Sequence, residues 1–178
     1  LGLDSNTGRA PDHPAAQAEL ALDQMRQTLL AAGMDYRNLV FVHPYLTRKM
    51  PMDVMNRVYA SHFEFGNTPA RATISVTSLP LDASIEFSGV AIADLSQRRA
   101  VRPKNMEPSP TASPCVFAGD TFYCSAKSGF IPGPRPCISA PHVETQLRQT
   151  MRNLLHGQEE ARLNFATVFA HHVTQDDM

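Results

Sequence analysis

The sequence predicts a chain that mixes helices with strands and carries one design twice, as two related domains in tandem. Two observations lead there. Apolar residues recur at helical spacing in three segments and alternate at strand spacing in several others. In addition, "QMRQTLL" (Gln24 to Leu30) resembles "TMRNLLH" (Thr150 to His156), and "NLVFVHPYLT" resembles "NFATVFAHHVT", at an offset of 126 to 127 residues. A period that long marks related domains rather than a solenoid.

The first helix is expected from Pro14 to Ala32, with Leu22, Met25, Leu29 and Ala32 on one face and Gly33 as its stop. "NLVFVHPYL" (Asn38 to Leu46) reads as a strand, and Pro44 inside it argues for a strand edge or a bulge. Pro51 to Phe63 reads as a second helix, with Pro51 in its first turn and Met55, Val58, Tyr59 and His62 sharing a face. "GNTPA" turns out of it into two alternating strands, Arg71 to Leu79 and Ala83 to Ala93. Asp94 to Pro114 is rich in Pro, Ser and charge and reads as a linker or extended crossover. A hairpin on Gly119-Asp120 follows, then a Pro-rich turn and a helix with Leu147, Met151, Leu154 and Leu155 on one face. The expected division is a first domain over 1–97 lacking its first hairpin, a linker over 98–112, and the N-terminal part of a second domain over 113–178.

At 178 residues with sixteen basic and seventeen acidic side chains, the chain has no basic stripe to bind nucleic acid or anionic membrane. It has no apolar run long enough to span a bilayer and no signal-peptide pattern, so a cytoplasmic location is expected, with periplasm or secretion as the alternative if a leader has been removed. Cys115, Cys124 and Cys137 are too few for a disulfide scaffold or a zinc site. A two-residue turn on Gly119-Asp120 would set Cys115 directly opposite Cys124 in a non-hydrogen-bonded pair. Two small apolar side chains facing each other is the plainer reading of that pair, and a cross-strand disulfide is the alternative. His171 and His172, adjacent on a strand, point to opposite faces, and no histidine has a carboxylate cluster or ligand spacing around it, so no metal is expected.

The order of "LGLDSNTG", "VFVHPYLT", "MDVMNRVYASHF", "NTPARATISV" and "LPLDASIEFSGVAIA", followed by "SPCVFAGDTFYCSAKSGFIPG", resembles the Rid family, also called YjgF/YER057c/UK114 and, historically, endoribonuclease L-PSP. The resemblance covers nearly the whole chain except the linker. It rests most on a Pro-Ala-Arg strand opening with a glutamate fifteen residues later on the next strand. It implies an α+β fold similar to chorismate mutase, with helices on one face of a mixed sheet, subunits associated as trimers, and ligand clefts between neighbours. It also implies hydrolysis of reactive 2-imino or 2-enamino acids to 2-oxo acids and ammonia, with no cofactor.

Within that resemblance Arg71 matches the arginine that clamps the substrate carboxylate, a task suited to a planar guanidinium that can donate two parallel hydrogen bonds. Alternation puts Arg71, Thr73 and Ser75 on one face and Ala72, Ile74 and Val76 on the other, and the arginine is expected on the side away from the helices. Glu86, between Ile85 and Phe87, matches the glutamate that holds the attacking water. Without the resemblance, an exposed arginine or an ion pair with Glu86 would suffice. Asn56 and Tyr59 match a helix motif bordering the cleft, although Tyr59 also fits core packing. Thr73 stands where relatives often have cysteine. Ser128 and Gly129 match a turn whose donors line the pocket, Gly129 otherwise being a plain turn glycine. Ser88, where many members carry a second glutamate, and Cys115, where a pocket tyrosine is usual, are departures. They favour the competing expectation of a non-catalytic protein that binds small carboxylates or a protein partner. A ribonuclease is a distant third.

Overall fold

The computed structural model describes residues 1–104, 106–131 and 141–168, together with the backbone of 138–139. Helix α1 spans Pro14–Ala31, with the proline at the helix start, where its missing N–H breaks no helical bond. Gly33 ends it at φ 71°, a left-handed conformation open to glycine, while Met34 N–H returns to the Leu29 carbonyl. Strand β1 covers Leu39–Leu46 and helix α2 covers Met52–Ser61, followed by β2 (Ala70–Arg71), β3 (Ile74–Ser75) and β4 (Ile85–Ala91). Both β2 and β3 run parallel to β1 in one continuous register, so they are two pieces of a single edge strand. Strand β4 pairs antiparallel with β1. The fold is therefore α+β, with β1 at the centre of a mixed sheet.

Pro44 occupies the middle of this central strand, opposite Phe87, rather than an edge. Val42 and Leu46 accept the N–H groups of Ala72 and Val76, so the polar groups of residues 42, 44 and 46 point toward the β2/β3 strand. The N–H that proline lacks would have gone there, and the ladder breaks between Arg71 and Ile74, opposite Pro44. The proline is tolerated because its neighbour strand is interrupted at the matching place.

One face of the sheet carries the helices. Leu22 of α1 and Met55 and Tyr59 of α2 enclose Leu39, Val42 and Leu46 of β1 and Ile85 of β4. Gln17 of α1 ties that layer to the sheet: its Oε1 accepts from Ser84 N–H (2.9 Å) and Ser84 Oγ–H (2.8 Å), and its Nε2 donates to Pro11 O (2.7 Å).

The chain divides into two compact units, 1–126 and 127–178. The expected 98–112 linker contains β5 (Arg98–Val101), which pairs with β6 (Cys115–Ala118), itself paired with β7 (Thr121–Cys124). The hairpin expected in the second domain thus lies in the first unit, where Val116 joins Val40 and Ala70 in a small core and Tyr123 packs on Phe41 at 5.8 Å. Arg98 also serves the first unit, donating to Leu39 O (2.9 Å), Asn67 Oδ1 (2.6 Å) and Asn67 O (2.9 Å). In the hairpin turn Gly119 takes φ 61°, as the expected two-residue connection requires.

In the second unit β8 (Phe130–Ile131) pairs with β9 (Ile138–Ser139), and α3 spans Val143–Glu160. Asn153 of α3 donates to the carbonyls of Ser128 and Phe130. Like α1, α3 has 18 residues and precedes a 3-10 turn with an Asp or Asn cap, Asp35 before Tyr36–Asn38 and Asn164 before Phe165–Thr167. The start of "NFATVFAHHVT", the repeat's match to the Asn38–Leu46 strand segment, therefore forms a turn, and its remainder, with His171 and His172, lies outside the described residues, as does Cys137.

Replacing Gln17 by Ala strands the buried Ser84 donors and is expected to lower the unfolding free energy by about 1–3 kcal/mol. Arg98→Met, which keeps the stem and removes three donors, is expected to cost about 2 kcal/mol. Urea unfolding of the two variants beside the wild type measures both.

Candidate functional site

Arg71 sits where the edge strand meets the hairpin, and its backbone is held on both sides. Its N–H donates to Ser125 Oγ (2.8 Å), which in turn donates to Ser113 O (2.6 Å), and its carbonyl accepts from Ala126 N–H (3.0 Å). Ser113 N–H donates to Pro69 O (3.2 Å), and Arg98 fixes Asn67 at the start of the same turn. Three segments distant in sequence therefore converge on the few residues that aim this side chain.

The register of the sheet decides where it points. Arg71 is paired with Val42, whose side chain belongs to the helix-side core. Its guanidinium accordingly lies against α2, with the carbon centre 5.1 Å from the Tyr59 ring centroid and one nitrogen 3.8 Å from Met55 Sδ. The alternation of Arg71, Thr73 and Ser75 against Ala72 and Ile74 holds, but the faces are the reverse of those expected. The polar set looks toward the helix side, and Ala70, Ala72 and Ile74 look toward the side of Phe41, His43 and Tyr45. That side is apolar because the β5–β7 sheet covers part of it.

Burial lowers the pKa of Arg71 from the ordinary arginine value, and the Tyr59 phenol opposes the shift. Burial likewise pushes the Tyr59 phenol up, with Arg71 and Arg98 opposing. Among the described residues no carboxylate pairs with Arg71. This half-buried guanidinium keeps its charge beside an aromatic face, and among the described residues it has no counter-ion to offset the partial loss of water.

Three further polar atoms belong to this setting. Asn56 Oδ1, Tyr59 OH and Thr73 Oγ1 are buried and lack hydrogen-bond partners among the described residues. Asn56 and Tyr59 lie one turn apart on α2, and Thr73 shares the Arg71 face two residues along the strand. An unsatisfied buried polar atom costs about 1–3 kcal/mol, and these three lie on the two elements, α2 and the Arg71 strand, that carry the guanidinium and the Tyr59 ring it rests on. The guanidinium offers a fork for a carboxylate, Asn56 an acceptor, and the two hydroxyls donors.

Glu86 does not join them. It is paired with Tyr45, as Ser88 is with His43, and the Phe41, His43 and Tyr45 rings line that opposite face at 5.4 and 5.1 Å between centroids. Strand β1 also separates β4 from the strand of Arg71. The glutamate expected on the strand next to that of Arg71 is therefore not its neighbour: the two residues stand on different faces of the sheet, on either side of the central strand. Ser128 and Gly129 belong to the second unit. There Ser128 is exposed, and a side chain on Gly129 would meet Gln146 O at 2.7 Å, so this glycine lets the turn lie close against α3.

Sequence reasoning missed Arg98 and Ser125. Arg98 stood in a charge-rich stretch with no apolar alternation, and Ser125 is one small polar residue at a strand end; only the folded contacts single them out.

A family model described as endoribonuclease L-PSP matches residues 1–93. The chain is 33% identical over 93 residues to the 2-iminobutanoate/2-iminopropanoate deaminase of Rattus norvegicus, across 52% of this chain and 67% of that protein. Against the Homo sapiens protein of the same name the identity is 34% over the same shares. Among solved structures, RidA from an Antarctic Psychrobacter is 27% identical with a TM-score of 0.48, covering 51% of this chain and 73% of that one. All these matches cover about half of this chain, and the family model ends before β5, the hairpin and the second unit. With its own model matched from residue 1 to 93, the chain belongs to the endoribonuclease L-PSP family, also called Rid or YjgF.

Proposed function

We propose that this protein hydrolyses reactive 2-imino or 2-enamino acids to 2-oxo acids and ammonia, with Arg71 holding the substrate carboxylate. The observation that carries this reading is the half-buried Arg71 guanidinium against Tyr59, without an anionic partner among the described residues, together with Asn56 Oδ1, Tyr59 OH and Thr73 Oγ1, which are buried and unpartnered among those residues on α2 and on the Arg71 strand. A carboxylate supplies the missing charge and accepts two parallel hydrogen bonds. The imine N–H can then donate to Asn56 Oδ1. Water adds to the imine carbon, the C–N bond breaks, and ammonia leaves as the carbonyl of the oxo acid forms. The family's relatives named as deaminases support the same reaction class.

Glu86 is the residue proposed to orient the attacking water, a role worth about 10²–10⁴ in rate. Because it faces away from Arg71 within one unit, we propose that copies of the chain associate so that Glu86 of one copy serves a ligand held by Arg71 of another. Association as a trimer, with Ser128 and Gly129 bordering the cleft, belongs to the same proposal. A second reading, binding of small carboxylates without turnover, is favoured by the opposed faces of Arg71 and Glu86 and by Ser88. The near-neutral charge favours either over a ribonuclease.

Ammonia and oxo-acid release from an imine generated by an amino-acid oxidase tests these points. Arg71→Ala and Glu86→Gln are each expected to lose about 100-fold or more in rate, and co-expression of the two variants is expected to restore part of the wild-type rate. An Arg71→Ala rate equal to wild type rules out the clamp. Co-assembled variants that remain inactive rule out the shared site. Saturable 2-oxobutyrate binding by a wild type that turns over no imine selects the second reading.

A further inference from the structure

The hairpin that supports Arg71 carries two cysteines directly across from each other. Cys115 of β6 is paired with Cys124 of β7, and their sulfurs are 3.3 Å apart. The two-residue turn between Ala118 and Thr121 makes this a non-hydrogen-bonded pair, the register in which opposite Cα atoms come within about 4.5 Å. That separation falls inside the range of about 4.4–6.8 Å that a disulfide spans. The sulfurs need close by only about 1.3 Å to reach bonding distance, a movement side-chain rotation supplies without moving the strands.

We propose that Cys115 and Cys124 form a reversible dithiol–disulfide centre, and that its closure stiffens the mounting of Arg71. The partly exposed Cys124 is the entry point, because Cys115 is 1% exposed. A low-molecular-weight disulfide such as glutathione disulfide is the oxidant. The Cys124 thiolate attacks one of its sulfurs, forming a mixed disulfide and releasing one glutathione thiolate. The Cys115 thiolate then attacks the Cys124 sulfur, forms the protein disulfide and releases the second glutathione. Two protein sulfurs are oxidised, the oxidant is reduced to two thiols, and the protein's thiol protons go to them.

The coupling to Arg71 is one residue away on each strand. Ser125, next to Cys124, takes the Arg71 N–H on its hydroxyl and donates to Ser113 O. Its own N–H donates to Pro114 O (2.9 Å), next to Cys115, and Ala126 N–H holds the Arg71 carbonyl. Ser125 is itself held across the hairpin by Ser113 O and Pro114 O. A bond between the two sulfurs keeps segments 113–115 and 124–126 from parting, so it suppresses those openings of the Arg71 amide that begin with fraying of the hairpin.

The test uses the full chain in a Cys137→Ser background, equilibrated with glutathione and glutathione disulfide. Intact mass is expected to fall by two hydrogens, a non-reducing peptide map to join the Cys115 and Cys124 peptides within one chain, and dithiothreitol to reverse both. Amide hydrogen exchange at Arg71 and Ala126 is expected to slow by about tenfold on oxidation, whereas a Cys124→Ser variant shows no change with oxidant. A stable glutathione adduct on Cys124, or linkage only between chains, overturns the centre. An intramolecular link that leaves exchange at Arg71 unchanged, or equal slowing in Cys124→Ser, overturns the coupling. None of these readouts depends on turnover or on what Arg71 binds.

Discussion

Much of the first unit is organised around how Arg71 is mounted. Its backbone is hydrogen-bonded to Ser125 and Ala126 while its guanidinium is pressed against Tyr59 and Met55. A charge at the edge of an apolar core can be held there only if the strand that carries it cannot twist it back to solvent. The hairpin, the turn fixed by Arg98 and the face of α2 provide that restraint. They come from residues 113–126, 98 and 55–59, so the site depends on the tertiary fold rather than on any one motif.

Pro44 contributes from the other side. Its missing N–H opens the ladder between Arg71 and Ile74, leaving Ala72 and Thr73 outside regular pairing. The same interruption lets a proline sit at the centre of the sheet and relaxes the edge strand just where Thr73 offers a hydroxyl to the Arg71 face. Fold and site meet in this local break: a central strand with a full complement of N–H groups would hold the edge strand straight and paired.

The helices and most strands were legible because apolar periodicity reports directly on burial, as in α1 and in β4 around Ile85 and Phe87. The hairpin register was legible too, since a two-residue turn leaves only one pairing for Cys115 and Cys124. Alternation along 71–76 separated the two faces but carried no sign. It could not say which face met the helices, and the assumption that apolar means helix-side failed because the β5–β7 sheet covers part of the other side. Strand β5 was hidden in a charged, Pro-rich stretch, and its Arg98 has no local pattern to distinguish it from a solvated side chain. The burial of Asn56 Oδ1, Tyr59 OH and Thr73 Oγ1 without partners among the described residues has no sequence signature at all; it exists only once α2 and the edge strand are packed.

The central claim, that the Arg71 guanidinium receives a carboxylate, is tested most directly by following its Nε–H resonance in ¹⁵N-labelled protein during titration with 2-oxobutyrate and, separately, with butanone, which keeps the ketone and lacks the acid. The account predicts a saturable shift of that resonance with the oxo acid and none with the ketone. No shift with 2-oxobutyrate, or the same shift with both compounds, would contradict it.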